Sequence, residues 1–259
     1  MAPASLRGEI PHSSPDFMRK ILVLLWLLLP LPVVVLHYGR GQQWLARDHA
    51  GDFIKQAQAA EKTGDWKQAD ECYRNADHAI GPENRELKMR LALARVRTRF
   101  HLGEAVAAID GADRLLDDAA MATMPLAFQN EARALAGRIH YYAGWVMRLE
   151  GAKRELWMEE AELSRQNYRL LSEQSSGSSA DQSVKQREDL EAAVQLQRLS
   201  FTELIARPLP KEGQSMSGQG LSEQMAKRRG NRGKNPGKNK GNKPGKDGGL
   251  ERFEPGSGS

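Results

Sequence analysis

Few residues in this chain are suited to chemistry, and their spacing argues against most kinds. The six histidines are scattered, and none falls in a His-Glu-x-x-His or other metal-ligand spacing. Neighbouring carboxylates such as Glu159 and Glu160 lie in an amphipathic helical pattern, where a solvated face accounts for them. The Gly/Lys repeats near the end resemble a phosphate loop only superficially, because they lack the spaced Gly-Lys-Ser/Thr and no strand precedes them. The sequence therefore predicts a non-enzymatic protein, with no cofactor and no metal. Recognition chemistry remains. Arg138, Tyr141, Trp145 and Arg148 recur at intervals of three and four, so a helix carries all four on one face. Guanidinium groups beside aromatic rings suit an acidic or extended peptide, through charge-assisted hydrogen bonds and ring contact. The competing reading makes Tyr141 and Trp145 core residues and the arginines solvated.

A second candidate is electrostatic. From Lys211 onward there are eleven Lys/Arg against five Asp/Glu, so the net charge of +5 resides in the tail and the rest is near neutral. The tail's centre holds Lys227, Arg228, Arg229, Arg232, Lys234, Lys238, Lys240, Lys243 and Lys246 with no acidic residue among them. Nucleic acid, anionic lipid and an acidic protein are all candidate targets, bound nonspecifically and in a salt-dependent manner. No aromatic residue lies between Lys211 and Gly249, so base stacking is not expected.

The elements that must position these residues are helical. Strand-like alternation is missing throughout, which excludes a Rossmann-type sheet and predicts an all-α fold. From Ile21 to Leu36 the chain has no charged residue, and with His37, Tyr38 and Gly39 the run approaches the ~20 residues of a spanning helix. No Ala-x-Ala signal follows it, so an uncleaved signal-anchor over 18–39 is expected, kinked at Pro30 and Pro32. Met18-Arg19-Lys20 reads as the natural start of that anchor, with 1–17 a disordered extension. The Arg19-Lys20 pair favours an inside amino terminus and an outside body. Helical pairs are expected over 42–118 and 119–173, broken at Gly64, Gly103 and Gly151. A polar linker over 174–183 should lead to a capping helix over 184–206, with Val184, Leu190, Val194 and Leu199 as its apolar contacts. The tail over 207–259 is too poor in large apolar residues to fold alone. The single cysteine, Cys72, forms no intramolecular disulfide and reads as a packing residue.

Gly64-Asp65-Trp66, followed by Ala69, Tyr73 and Ala76 at spacings of four and three, resembles the turn and second helix of a tetratricopeptide (TPR) repeat of about 34 residues. Phe53 and Ala57 fit its first helix. Ala105, Ala108, Ala112 and Leu115 give a weaker second match. The third pair departs from the pattern, with Leu156, Glu160 and Leu163 where Ala, aromatic and Ala are usual; it is either a degenerate repeat or a simple hairpin. The resemblance implies two to three TPR-like hairpins plus a cap. It also implies a concave surface lined by first helices: Ile54, Gln58, Glu61 and Lys62; then Arg90, Leu93, Arg97 and His101; then Arg138, Tyr141, Trp145 and Arg148. Partner binding is accordingly expected at Arg90, Arg97, Arg138, Tyr141, Trp145 and Arg148. The fixed Lys/Asn/Arg clamp of chaperone-binding TPR domains is not reproduced.

The whole arrangement resembles the small membrane-anchored TPR proteins encoded beside MoxR-type ATPases and von Willebrand A-domain proteins, such as the MxaK proteins. This implies a single-pass protein of the inner (cytoplasmic) membrane with a periplasmic body, aiding assembly or metal loading of a partner enzyme. The function expected is a membrane adaptor whose helical domain binds a partner protein. The alternative is a cytoplasm-facing tethered protein whose tail gathers nucleic acid or anionic lipid.

Overall fold

The same glycine turn closes three helical pairs. The computed structural model describes residues 15–28, 42–174, 180–209, 214–216, 218 and 220–234, except for the side chains of 15–17, 21, 42–46 and 231–234. Helix α1 spans Pro15–Leu28 and stands apart from the pairs in sequence. The pairs are α2 (Gln42–Thr63) with α3 (Trp66–Ala79), α4 (Arg85–His101) with α5 (Ala105–Asp117), and α6 (Leu126–Leu149) with α7 (Arg154–Glu173). Gly64, Gly103 and Gly151 sit between the helices of each pair at φ of 77°, 77° and 72°. Each glycine N–H donates to the carbonyl three residues back, and the next N–H to the carbonyl five back: Asp65 to Ala60 at 2.9 Å, Glu104 to Arg99 at 3.0 Å, Ala152 to Met147 at 2.9 Å. This is the paired hydrogen bonding of a Schellman stop, which needs a left-handed residue where a Cβ is costly. Asp65 then caps α3 by accepting from the Gln68 N–H at 3.0 Å.

Small side chains let the pairs nest. Ala57 and Ala60 of α2 are buried against Ala69, Tyr73 and Ala76 of α3, and Cys72 is buried beside them. Ala105, Ala108, Ala112 and Leu115 are likewise buried on α5. In the third pair glycine does this work. A Cβ at Gly137 would lie 3.0 Å from the Tyr168 ring, and one at Gly144 would lie 3.2 Å from the Trp157 carbonyl oxygen. The buried face of α7 is Trp157, Ala161, Ser164, Tyr168 and Leu171, with Glu160 beside it. The expected stripe of Leu156, Glu160 and Leu163 is thus displaced: Ser164, Tyr168 and Leu171 repeat the four–three spacing, and Leu156 and Leu163 are only half-buried. Tyr168 takes the aromatic place because Gly137 opposite it leaves room for the ring.

After the pairs come α8 (Ala180–Arg198), α9 (Phe201–Ile205) and α10 (Leu221–Lys234). The cap expected from 184 begins at Ala180, and residues 175–179 of the expected linker lie outside the described residues. Ala193 and Leu196 are its buried contacts, whereas Val184 is exposed. Ser200 and Glu203 form a capping box that opens α9. The tail departs most from expectation. Leu209 packs against the main core, and Met216, Leu221 and Met225 are buried in it, so α10 rests on α5, α6 and α7. Averaged composition conceals these few apolar anchors, which bury their surface against a core already built and need not form one alone.

All the described secondary structure is helical. Among the described residues no helix is long and apolar enough to cross a membrane. Helix α1 starts before Met18 and includes the first part of the expected anchor; residues 29–41 lie outside the described residues.

Candidate functional site

The expected binding face on α6 exists, but the chain itself occupies most of it. Trp145 is 5% exposed and belongs to the main core, with Tyr141 edge-on to it at 5.6 Å. Arg148 donates to the carbonyls of Leu196, at 2.7 Å, and of Leu199, and its guanidinium lies 4.5 Å from the Trp157 ring centroid. It therefore caps the carboxyl end of α8, where the last carbonyls lack helical partners and attract a cation. Tyr141 packs against the cluster of Tyr168, Leu171 and Ala193, as does Leu190 of α8. The four residues do share a face, and α8 lies along it. On α4, Arg90 pairs with Glu86 at 2.9 Å and sits 5.7 Å from the Phe128 ring, while Arg97 reaches Glu131 of α6 at 2.5 Å. Leu93 is core, and His101 stacks on Trp66 with ring centroids 4.0 Å apart. Of the first-pair set, Gln58 and Lys62 are exposed, and Ile54 and Glu61 half-buried.

Part of this face remains open. A groove of about 560 Å³ runs between α6, α7 and α8, and Arg138 lines it together with Asn130, Gln186 and Asp189. The Oδ1 of Asn130 and the Oε1 of Gln186 are buried there without a hydrogen-bond partner.

The second arrangement lies on the other side of α6 and was not legible as a motif. His140 is 1% exposed and is gripped at both ring nitrogens. Its Nδ1–H donates to Glu160 Oε2 of α7 at 2.7 Å, and its Nε2–H to Asp113 Oδ1 of α5 at 3.2 Å. Arg228 of α10 places Nη2 2.6 Å from Asp110 and 2.7 Å from Asp113, so five charged groups from four helices meet in one cluster. Glu160, expected on a solvated face, is 4% exposed. It occupies that position because His140 of the facing helix compensates its charge; an isolated carboxylate could not be buried there. Burial works against a charged His140, but the hydrogen bonds and charges of Asp113 and Glu160 outweigh it and push its pKa up to about 9. Burial likewise opposes the charged Asp113, yet His140 and Arg228 pull its pKa down to about 2.

This cluster is poorly suited to proton transfer with a substrate. Both imidazole nitrogens are engaged, the ring is sealed from solvent, and its partners hold it protonated. Among the described residues no group of three His, Cys, Asp or Glu could hold a metal ion. What the cluster does is fix α5, α6, α7 and α10 together through charge. Of the basic tail, Arg229 pairs with Glu159 at 3.1 Å and Lys227 with Glu223 at 2.7 Å, so Lys227, Arg228 and Arg229 are not free cations. Arg232 and Lys234 fall within α10, but their side chains are outside the described residues; Lys238, Lys240, Lys243 and Lys246 lie outside them altogether. The only sequence signal for the cluster was Glu160 standing where the resemblance to a TPR repeat would put an aromatic. Compared with protein-family models, curated proteins and solved structures, the chain matches none.

Proposed function

We propose that this protein is a non-enzymatic, membrane-tethered adaptor that holds an extended segment of a partner protein against its helical pairs. The observation that carries the reading is the open groove between α6, α7 and α8, with its mixed charges Arg138 and Asp189. An extended segment laid along it meets charge of either sign. The tether rests on α1, whose residues Leu22 to Leu28 are all exposed beside Arg19 and Lys20, with the apolar run continuing in sequence to Leu36. The resemblance to membrane-anchored TPR accessory proteins makes a MoxR or von Willebrand A-domain protein the first partner to try, in assembly or maturation of an enzyme complex.

The alternative, a tail that gathers nucleic acid or anionic lipid, is less favoured, because three of its nine central cations are already paired within the chain. A photo-crosslinking side chain at Ala127, on the groove's rim, tests the adaptor reading in native membranes. A discrete partner band is expected there and not from Arg74, which is exposed on α3. Equal labelling from both sites, or none from Ala127, would remove the groove from the proposal. Carbonate extraction tests the tether: the full chain should stay with the membrane, and deletion of 18–39 should release it.

A further inference from the structure

Helix α10 makes contact as a ligand does. Leu221, Met225 and Arg228, at positions i, i+4 and i+7, face the body, while Glu223, Gln224, Ala226, Lys227, Arg229 and Gly230 remain exposed. A narrow stripe of anchors at this spacing is how an amphipathic helix lies in a groove. Three helices make its floor: Asp110 and Asp113 from α5, Met147 from α6, and Leu156, Glu159 and Glu160 from α7. The entry end is marked by Glu150, whose carboxylate accepts from the Leu221 N–H at 3.1 Å and the Ser222 N–H at 2.7 Å, which suits the positive end of a helix. The fit is incomplete, because a cavity of about 60 Å³ persists beneath the helix and Arg228 Nε has no partner. The approach to α10 contains two left-handed glycines, Gly218 and Gly220, so no continuous helix ties it to α9.

With α10 removed, four carboxylates (Asp110, Asp113, Glu159 and Glu160) would face a single imidazolium, and such a floor strongly selects a cation. We propose that this surface is a helix-binding groove that α10 occupies as a built-in ligand, and that a partner's basic amphipathic helix, with apolar anchors four residues apart and a cation three further on, binds by replacing it. The proposal rests on the adaptor reading and assigns it a second surface with its own partner chemistry.

The test uses the full chain and a fluorescently labelled peptide of residues 214–234. A tethered helix competes at an effective concentration on the order of millimolar, so the peptide should bind the wild-type chain weakly. Arg228→Ala with Arg229→Ala in the chain weakens the internal helix, and the wild-type peptide should then bind at least about tenfold more tightly. Adding Asp110→Asn and Asp113→Asn to that chain should return binding to the weak level. Equal affinity for the wild-type and Arg228→Ala/Arg229→Ala chains would overturn the proposal, as would a peptide carrying Arg228→Ala that binds as well as its parent. Loss of cooperative unfolding in the doubly substituted chain would also overturn it, since α10 would then be an indispensable part of the core. Failure here with crosslinking from Ala127 intact leaves the adaptor reading standing; loss of that crosslinking with peptide exchange intact removes the extended-segment groove and leaves the helix site.

Discussion

At the scale of single residues, His140 decides how the protein responds to pH. Its folded pKa of about 9 lies above its ordinary 6.5, so the folded state binds the extra proton between those values. Stability from this group is full below about pH 6.5 and is lost as pH rises towards 9, by up to roughly 3 kcal/mol. Urea denaturation across that range should show the midpoint falling, and His140→Leu should flatten the dependence. Asp113 acts in the opposite direction. With its pKa lowered from 3.8 to about 2, its contribution is complete above about pH 4 and disappears as pH falls through 2. Replacing it by Asn leaves His140 and Arg228 with less compensation in a buried place, at an expected cost of about 3 kcal/mol at neutral pH. An Asp113→Asn midpoint within error of wild type would make the cluster electrostatically idle.

At the scale of elements, close approach between helices sets the tolerances. Gly144 faces backbone atoms of α7, and neither the Trp157 carbonyl nor the Ala161 N–H can move unless the helix moves too. Gly144→Ala should therefore cost about 1–3 kcal/mol by forcing the third pair apart. Gly64→Ala should cost only about 1 kcal/mol, because a Cβ there meets nothing within 4 Å and the penalty is local to one left-handed residue. Both are read as shifts of the denaturation midpoint with unchanged slope. Arg148→Met keeps most of the stem but removes the guanidinium that lies over Trp157 and donates to Leu196 and Leu199. Amide exchange in the last turn of α8 and in α9 should accelerate, with α2 and α3 unaffected. Uniform acceleration would mean that α8 is not a separately attached element.

At the scale of the whole molecule, the order of attachment matters more than the number of helices. The paired helices share long apolar faces, whereas α10 is held by a few anchors and one charge cluster. Its amides should open at a lower free energy than those of α6, and raising pH through 9 should raise that opening energy, because His140 discharges and the carboxylates then depend more on Arg228. Protection of α10 equal to that of α6 at every pH would show one cooperative unit and no displaceable helix.

The repeating small residues, the three stop glycines and the absence of strand alternation were enough to specify helical pairs, because each acts through spacing along its own segment. Ala69, Tyr73 and Ala76 are buried as their four–three spacing requires, and Gly64, Gly103 and Gly151 stop helices where a left-handed residue is needed. The sites were less legible. Trp145 and Arg148 looked available because periodicity reports which residues share a face and is silent on what covers it; α8 covers this one. His140, Asp113 and Glu160 are 20 or more residues apart in sequence and belong to three helices, so only packing brings opposite charges close enough to tolerate burial. The tail shows the same limit: its composition lacks the apolar surface to fold alone, but Met216, Leu221 and Met225 find theirs on a body already assembled.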